Sequence, residues 1–270
     1  MLGLTYAMVK TKISHLAAHN ALCRSKAWGK VWQYLTIEFF GSFSVVAALD
    51  AHLKIHHPYT NVIGLGDSSL WRVPFLPMLI YMFVAPLLLP ILAPIAAVVF
   101  LVQERKFLAC VKCVVVITAG LICNVLTLMY VSHLSCFKAI LCILVYRSFM
   151  EIPYIHINIF QHIGLPMYAK QAHPSRIELM ANAALNLSNA PFLVWNYGHS
   201  LVDCHVEHHM FPNLSDNMCK KVKPVVREYL LSHGLPYQEQ DYWDRLKVFV
   251  KRYEELMVNA PPITEFIGLQ

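Results

Sequence analysis

Charge is what this sequence has least of: Asp, Glu, Lys and Arg make up 14% of its 270 residues, where a soluble domain carries about 25%. With 57% hydrophobic residues and a mean hydropathy of +0.49, an ordinary water-soluble enzyme is excluded. Several chemistries also leave no trace. The nucleophile elbow G-x-S-x-G, the Walker phosphate loop and H-E-x-x-H are all missing. No E-x-x-H occurs either, which excludes the carboxylate-rich dimetal helix bundle that relies on that pair. The net charge of +6 comes without a basic run interleaved with stacking aromatics, so no nucleic acid is implied. Eight cysteines lie scattered without disulfide spacing. Cys110 and Cys113 form a lone C-x-x-C inside an apolar stretch, where packing is the ordinary role. Met1 to Ser14 lacks the apolar core and cleavage site of a signal peptide, and no internal repeat is visible.

Long apolar runs are what the chain does have. Residues 76–102, 111–131 and 137–150 hold few charges, and two of them approach or exceed the length that spans a bilayer. The cations Arg105, Lys106 and Lys112 flank these runs, as topology-setting charges do. Residues 107–131 and 137–160 read as a helical hairpin turning at Val131 to Cys136. Pro74, Pro77, Pro86, Pro90 and Pro94 make residues 74–102 read as broken or re-entrant. Beyond Asn213 the chain reads as water-facing. Pro224 fits the first turn of a helix stopping near Gly234. Leu246, Phe249, Val250, Tyr253 and Met257 then follow helical spacing, with Asp241 as the cap and Pro261 beyond the end.

Histidine is abundant, at 14 residues. At that frequency a given H-x-x-H-H or H-x-x-x-H-H template is expected about 0.04 times in such a chain. Both occur, as His52-Leu-Lys-Ile-His56-His57 and His205-Val-Glu-His208-His209, and His15-Leu-Ala-Ala-His19 lies upstream. Spacings of i, i+3 and i+4 put His205, His208 and His209 on one helical face. The same rule pairs His15 with His19 and His52 with His56, while His57 fans sideways toward a second metal. Eight imidazoles exceed what one four-coordinate zinc needs, and imidazole suits iron, copper, nickel and zinc alike. The boxes therefore read as a two-metal site. His133, His173 and His233 read as ordinary interfacial side chains, and His156 and His199 stay open.

Boxes of the form H-x3-H, H-x3-H-H and H-x2-H-H, in that order, resemble the membrane fatty acid desaturases. HHPYTN at His56 to Asn61, with Asp67 following, looks like the family's second-box signature, and HVEHHMFP at His205 to Pro212 looks like its third. SHLAAH at Ser14, NVIGLGDSS at Asn61, NIFQHIGLPM at Asn158, LSDNMC at Leu214 and APPITE at Ala260 are similar to one vertebrate branch of that family. The second box has three intervening residues where many relatives have two, which is within the family's range.

The resemblance implies an all-α polytopic membrane protein: a helical transmembrane bundle with a cytosolic histidine-rich helical cap. Residues 1–212 would form the desaturase domain and residues 213–270 a C-terminal cytosolic helical cap. It implies two non-haem iron ions held by His15, His19, His52, His56, His57, His205, His208 and His209. On the family pattern His162 is a ninth ligand, and Asn158, one turn earlier, reaches an iron through water; His156 faces away. O2 would be the co-substrate and a fatty acyl-CoA or acyl lipid the substrate. Electrons would come from cytochrome b5 and its NADH-dependent reductase, as separate proteins because the H-P-G-G haem signature is missing. The implied location is the endoplasmic reticulum membrane, multi-pass, with the boxes facing the cytosol. The family places a transmembrane hairpin before its first box. Only 14 residues precede His15, so that hairpin is expected to be missing.

If all boxes meet at one centre, residues 19–52 do not cross the membrane. An even number of crossings must then separate His57 from His205, here assigned to 107–131 and 137–160. The boxes alone leave open a hydroxylase or oxidase, which begins with the same hydrogen abstraction, and a relative that no longer turns over. A metal transporter fits less well, because its histidines belong at mid-span and not in polar flanks. Lys220, Lys221, Lys223 and Arg227 would meet a CoA phosphate, solvent or anionic lipid.

Overall fold

The computed structural model describes residues 1–66 and 68–259 and the backbone of 266–267. Asp67 and the APPITE block lie outside the described residues, as does Pro261, and the side chains of Ser69 and Leu70 are not described. The helices in order are α1 (Leu2–Ala7), α2 (Ser14–Ala18), α3 (Lys26–Gln33), α4 (Val45–Ala51), α5 (Leu89–Gln103), α6 (Phe107–Val131) and α7 (Cys136–Ser148). There follow α8 (Glu151–Phe160), α9 (Arg176–Ala183), α10 (Pro191–Tyr197), α11 (His205–Met210), α12 (Asp216–Ser232) and α13 (Tyr242–Lys251). Short strands β1 (Met167–Tyr168), β2 (Asn186–Ser188), β3 (Glu239–Asp241) and β4 (Phe266–Ile267) pair in parallel as β1 with β4 and β2 with β3. The protein is mostly helical, in two compact units.

The first unit holds residues 1–51 and 83–152. Among the described residues, three helices are long and apolar enough to cross a membrane: Ile80–Gln103, Phe107–Val131 and Cys136–Phe160. Their large side chains point outward, as with Leu108 and Val115 on α6, which is stable only where the surroundings are apolar. The proline-rich stretch differs from the sequence expectation, because it is helical from Ile80 onward. Pro86 and Pro90 each fall in the first turn of a helical segment, where the missing N–H has no partner to lose. Pro94, unlike these two, sits in a helix interior.

Ahead of the membrane-length helices in the chain comes a bent pair. Lys26–Phe40 and Val45–His56 meet at 108°. Arg147, buried in α7, holds the bend by donating to Ser42 Oγ at 2.7 Å and to the Phe40 carbonyl at 2.9 Å. Glu38, also buried, accepts from the Val45 N–H at 3.0 Å and so caps α4. Gly120 lets α6 approach the first arm, since a Cβ there would stand 2.0 Å from the Phe39 carbonyl oxygen. Gly120→Val should therefore separate the two helices or fail to assemble. Its thermal unfolding temperature, read by size-exclusion fluorescence, should fall well below wild type.

The second unit holds residues 52–82 and 153–270. Helix α9 is central: Leu179, Met180 and Ala183 pack with Val62 and Tyr168, while Ala181 packs with Val206, Val226 and Leu230. Arg245 of α13 donates to the Phe160 and Ile163 carbonyls at 3.0 and 2.5 Å, binding the end of α8 to the C-terminal helices. Asp241 caps α13 as expected, accepting from the Trp243 and Asp244 N–H groups. Phe249, Tyr253 and Met257 are buried and Val250 is exposed. The helix carrying Pro224 does stop before Gly234 but begins at Asp216, so Pro224 lies inside it and not in its first turn.

Candidate metal centre

The second unit gathers seven of the histidines singled out above into two groups. His56, His162, His205 and His209 form one, and His52, His57 and His208 belong to the other. The partition is not the one helical spacing predicts. Residues His52–His56 form a π-turn, with the His57 N–H bonded to the His52 carbonyl. A wider turn brings i and i+5 onto one side, so His52 and His57 face each other with Nε2 atoms 3.2 Å apart. His56 points elsewhere, toward His162 and His209, each at 4.8 Å between ring centroids. Helix α11 likewise splits its three: His205 and His209, one turn apart, go to the His56 group, and His208 turns to face His57 at 4.7 Å. In the first unit, His15 and His19 lie edge to face at 4.7 Å.

Within the four-histidine group the outer nitrogen of three rings is anchored. His162 Nδ1 donates to the Ala183 carbonyl at 2.9 Å and His205 Nδ1 to the Ser200 carbonyl at 3.1 Å. His209 Nδ1 meets Thr60 Oγ1 at 3.2 Å, and that hydroxyl donates onward to the His56 carbonyl. These acceptors fix the tautomer with Nε2 unprotonated. The Nε2 atoms then confront one another, at 3.0 Å between His162 and His205 and 3.1 Å between His205 and His209. Lone pairs so placed repel unless a cation lies among them, and a neutral imidazole bonded through its other nitrogen is the usual metal ligand. The residues present therefore fit a metal.

Burial acts in the same direction. It holds the pKa of His162 down at about 4, and that of His209 well below the usual histidine range, with the neighbouring imidazoles adding to the effect. These rings stay neutral at physiological pH. A sign follows for the metal-free protein. As pH falls through 6.5 the unfolded chain takes up a proton on His162 that the folded chain refuses until about 4, so stability is lost across that interval. The loss is on the order of 3 kcal/mol for this one group. Thermal unfolding of stripped protein at stepped pH, against His162→Gln, would show it.

The tail of the second box does more than its residue types announce. Asn61 Nδ2 donates to the His162 and Pro166 carbonyls at 3.0 and 3.3 Å, and Thr60 links His56 to His209. Asp216, from the LSDNMC block, accepts from the His199 N–H, the Ser200 N–H and the Ser200 hydroxyl at 3.0, 2.9 and 2.8 Å. It thereby fixes the carbonyl that holds His205. Glu207 is buried on α11, accepting from Tyr237 at 2.7 Å and Asn186 at 3.0 Å. Burial raises its pKa, opposed by those two donors.

Other candidates fall outside the groups. Asn158 donates to the Tyr154 carbonyl at 2.7 Å, one turn back on its own helix. His156 is a buried strut between Tyr242 Oη, at 2.9 Å, and the Met82 carbonyl, at 3.1 Å. His199 pairs with Asp203 at 2.8 Å. Lys223 is half-buried and engaged by Glu239 and the Asp203 carbonyl, and Arg227 lies over the Tyr237 ring while staying exposed, as Lys220 and Lys221 are.

Comparison with known proteins shows the family. The family model described as Fatty acid desaturase matches residues 1–241. Fatty acid desaturase 6 of Bos taurus is 49% identical over 271 residues, covering all of this chain and 79% of the relative. The Homo sapiens protein of the same name is 47% identical over 270 residues, covering all of this chain and 76% of the relative. More distantly, the Delta(5) fatty acid desaturase fat-4 of Caenorhabditis elegans is 24% identical over 120 residues, which is 42% of this chain and 25% of that protein. No solved structure matches. With histidine groups able to hold a metal, helices long enough to cross a membrane and full-length likeness to named desaturases, this chain belongs to the fatty acid desaturase family.

Proposed function

We propose that the protein is a membrane-bound fatty acyl desaturase that places a double bond in an acyl chain at a histidine-ligated di-iron centre. The observation that carries this reading is the convergence of imidazoles into two separate groups, in a chain of the desaturase family. His56, His162, His205 and His209 would hold one iron. His52, His57 and His208 would hold the other, with His15 and His19 as the further ligands that the desaturase pattern implies. When bound, such an iron pair supplies O2 reduction and the abstraction of hydrogen from an unactivated C–H bond. The protein's own part is orientation and exclusion. Ala183, Ser200 and Thr60 aim the Nε2 atoms inward, and the burial of His205, His208 and His209 keeps bulk water from them. Asn158 would steady a water on the metal through its side-chain oxygen, its amide being held by Tyr154.

The substrate would be an acyl-CoA or acyl lipid, with electrons delivered by cytochrome b5 and its NADH-dependent reductase. The boxes and residues 213–270 would face the cytosol at the endoplasmic reticulum membrane. His56 and His162 share one group, so the intervening chain must return to the side it left. The crossings would be α6 and the 136–160 helix, with Ile80–Gln103, though long enough to cross, lying re-entrant or interfacial, and the bent pair Lys26–Phe40 and Val45–His56 turning back without crossing. A tag beside His133 should be reachable only from the lumen, and tags flanking the boxes only from the cytosol. Lipid profiling by mass spectrometry of cells expressing the full chain, against His208→Ala, tests the reaction itself. New unsaturated chains that vanish in the variant are expected; hydroxylated chains would make it a hydroxylase.

A further inference from the structure

Helix α3 is built inside out. Gly29 and Gln33 are buried, Gln33 donating to the Ala17 carbonyl at 3.0 Å, whereas Trp28 and Val31 are 63% and 51% exposed and Trp32 and Tyr34 also face outward. A helix meeting plain water would do the reverse. Interleaved with the aromatics are Arg24, Lys26 and Lys30, all exposed. No acidic residue precedes Glu38 in the sequence, and among the described residues no ion pair involves these three cations. Ser25 caps the helix, accepting from the Trp28 N–H. The helix runs on into Tyr34–Phe40, which meets the membrane-length α6 where Phe39 meets Gly120.

Tryptophan beside lysine on an outward face is the chemistry of the bilayer headgroup layer. We propose that α3 is an interfacial anchor, seating Trp28, Val31 and Trp32 among acyl chain ends while Arg24, Lys26 and Lys30 select anionic phospholipid headgroups. Contact with the membrane-length α6 and the uniform positive charge favour a lipid surface over a protein groove. The anchor is independent of the desaturase chemistry and is tested without it.

The test uses the full chain reconstituted in phosphatidylcholine vesicles carrying brominated phosphatidylserine or brominated phosphatidylcholine at equal mole fraction. Quenching of Trp28 and Trp32 is obtained by subtracting the signal of Trp28→Phe/Trp32→Phe. Both brominated lipids should quench, the serine lipid more strongly, with anionic lipid enriched on the order of fivefold or more around the helix. High salt should erase that preference in the wild-type protein, and so should Arg24→Gln/Lys26→Gln/Lys30→Gln in low salt. Equal quenching by the two lipids would overturn the headgroup selection. No quenching by either would overturn the anchor, leaving the face to water or to a protein partner.

Discussion

His162→Ala should strip the protein of iron at its four-histidine group and abolish product. The ring supplies one of the Nε2 atoms facing His205, at 3.0 Å, and is aimed there by the Ala183 carbonyl. Two neighbours on the same segment give contrasting controls. Asn158→Ala removes a group proposed to act through water, so some iron should remain while turnover falls about ten- to a hundredfold. His156→Ala should keep its iron but lose stability, because it orphans Tyr242 Oη and the Met82 carbonyl in a buried site. The cost is on the order of 3 kcal/mol. Iron content, product yield and thermal unfolding, measured on all three, should therefore give three different patterns. If His156→Ala loses iron while His162→Ala keeps it, the ligand has been placed on the wrong face.

Asp216→Ala should weaken the centre without touching a ligand. Its carboxylate takes three hydrogen bonds from His199 and Ser200, and the Ser200 carbonyl holds His205 Nδ1 at 3.1 Å. With those bonds gone, the loop that begins at Gly198 slackens and His205 loses its aim. Iron affinity should fall about ten- to a hundredfold. Asp216→Asn keeps one accepting oxygen and should recover part of the loss. A purely structural role would lower the unfolding temperature of both variants while leaving iron retention in the folded fraction unchanged, and that result would remove Asp216 from the account.

The sequence states some of this openly. Apolar runs mark the membrane helices, and Asp241 announces its helix start by residue type. The histidine boxes are visible because imidazoles in register are improbable by chance. How those imidazoles divide is not visible. Helical spacing joins His52 to His56, but the π-turn at His52–His56 joins His52 to His57 instead, and the width of a turn is set by what packs around it. The anchors of His162 and His205 are the carbonyls of Ala183 and Ser200, groups every residue carries. Thr60 and Asn61 lie in the second-box motif, yet their work depends on contacts far along the chain, to His209 and His162. Proline misled twice: Pro86 and Pro90 fall at the starts of helical segments within 80–103 and do not break it, and Pro224 sits inside α12. The strut at His156 could not be told from a ligand by type alone.

Two groups of imidazoles are proposed to hold two irons. Elemental analysis of the purified full chain, expressed with iron supplied, tests it most directly. About two irons per chain are predicted, given two sites rich in imidazole, with the content reduced in His208→Ala. Stoichiometric zinc without iron would contradict the di-iron reading.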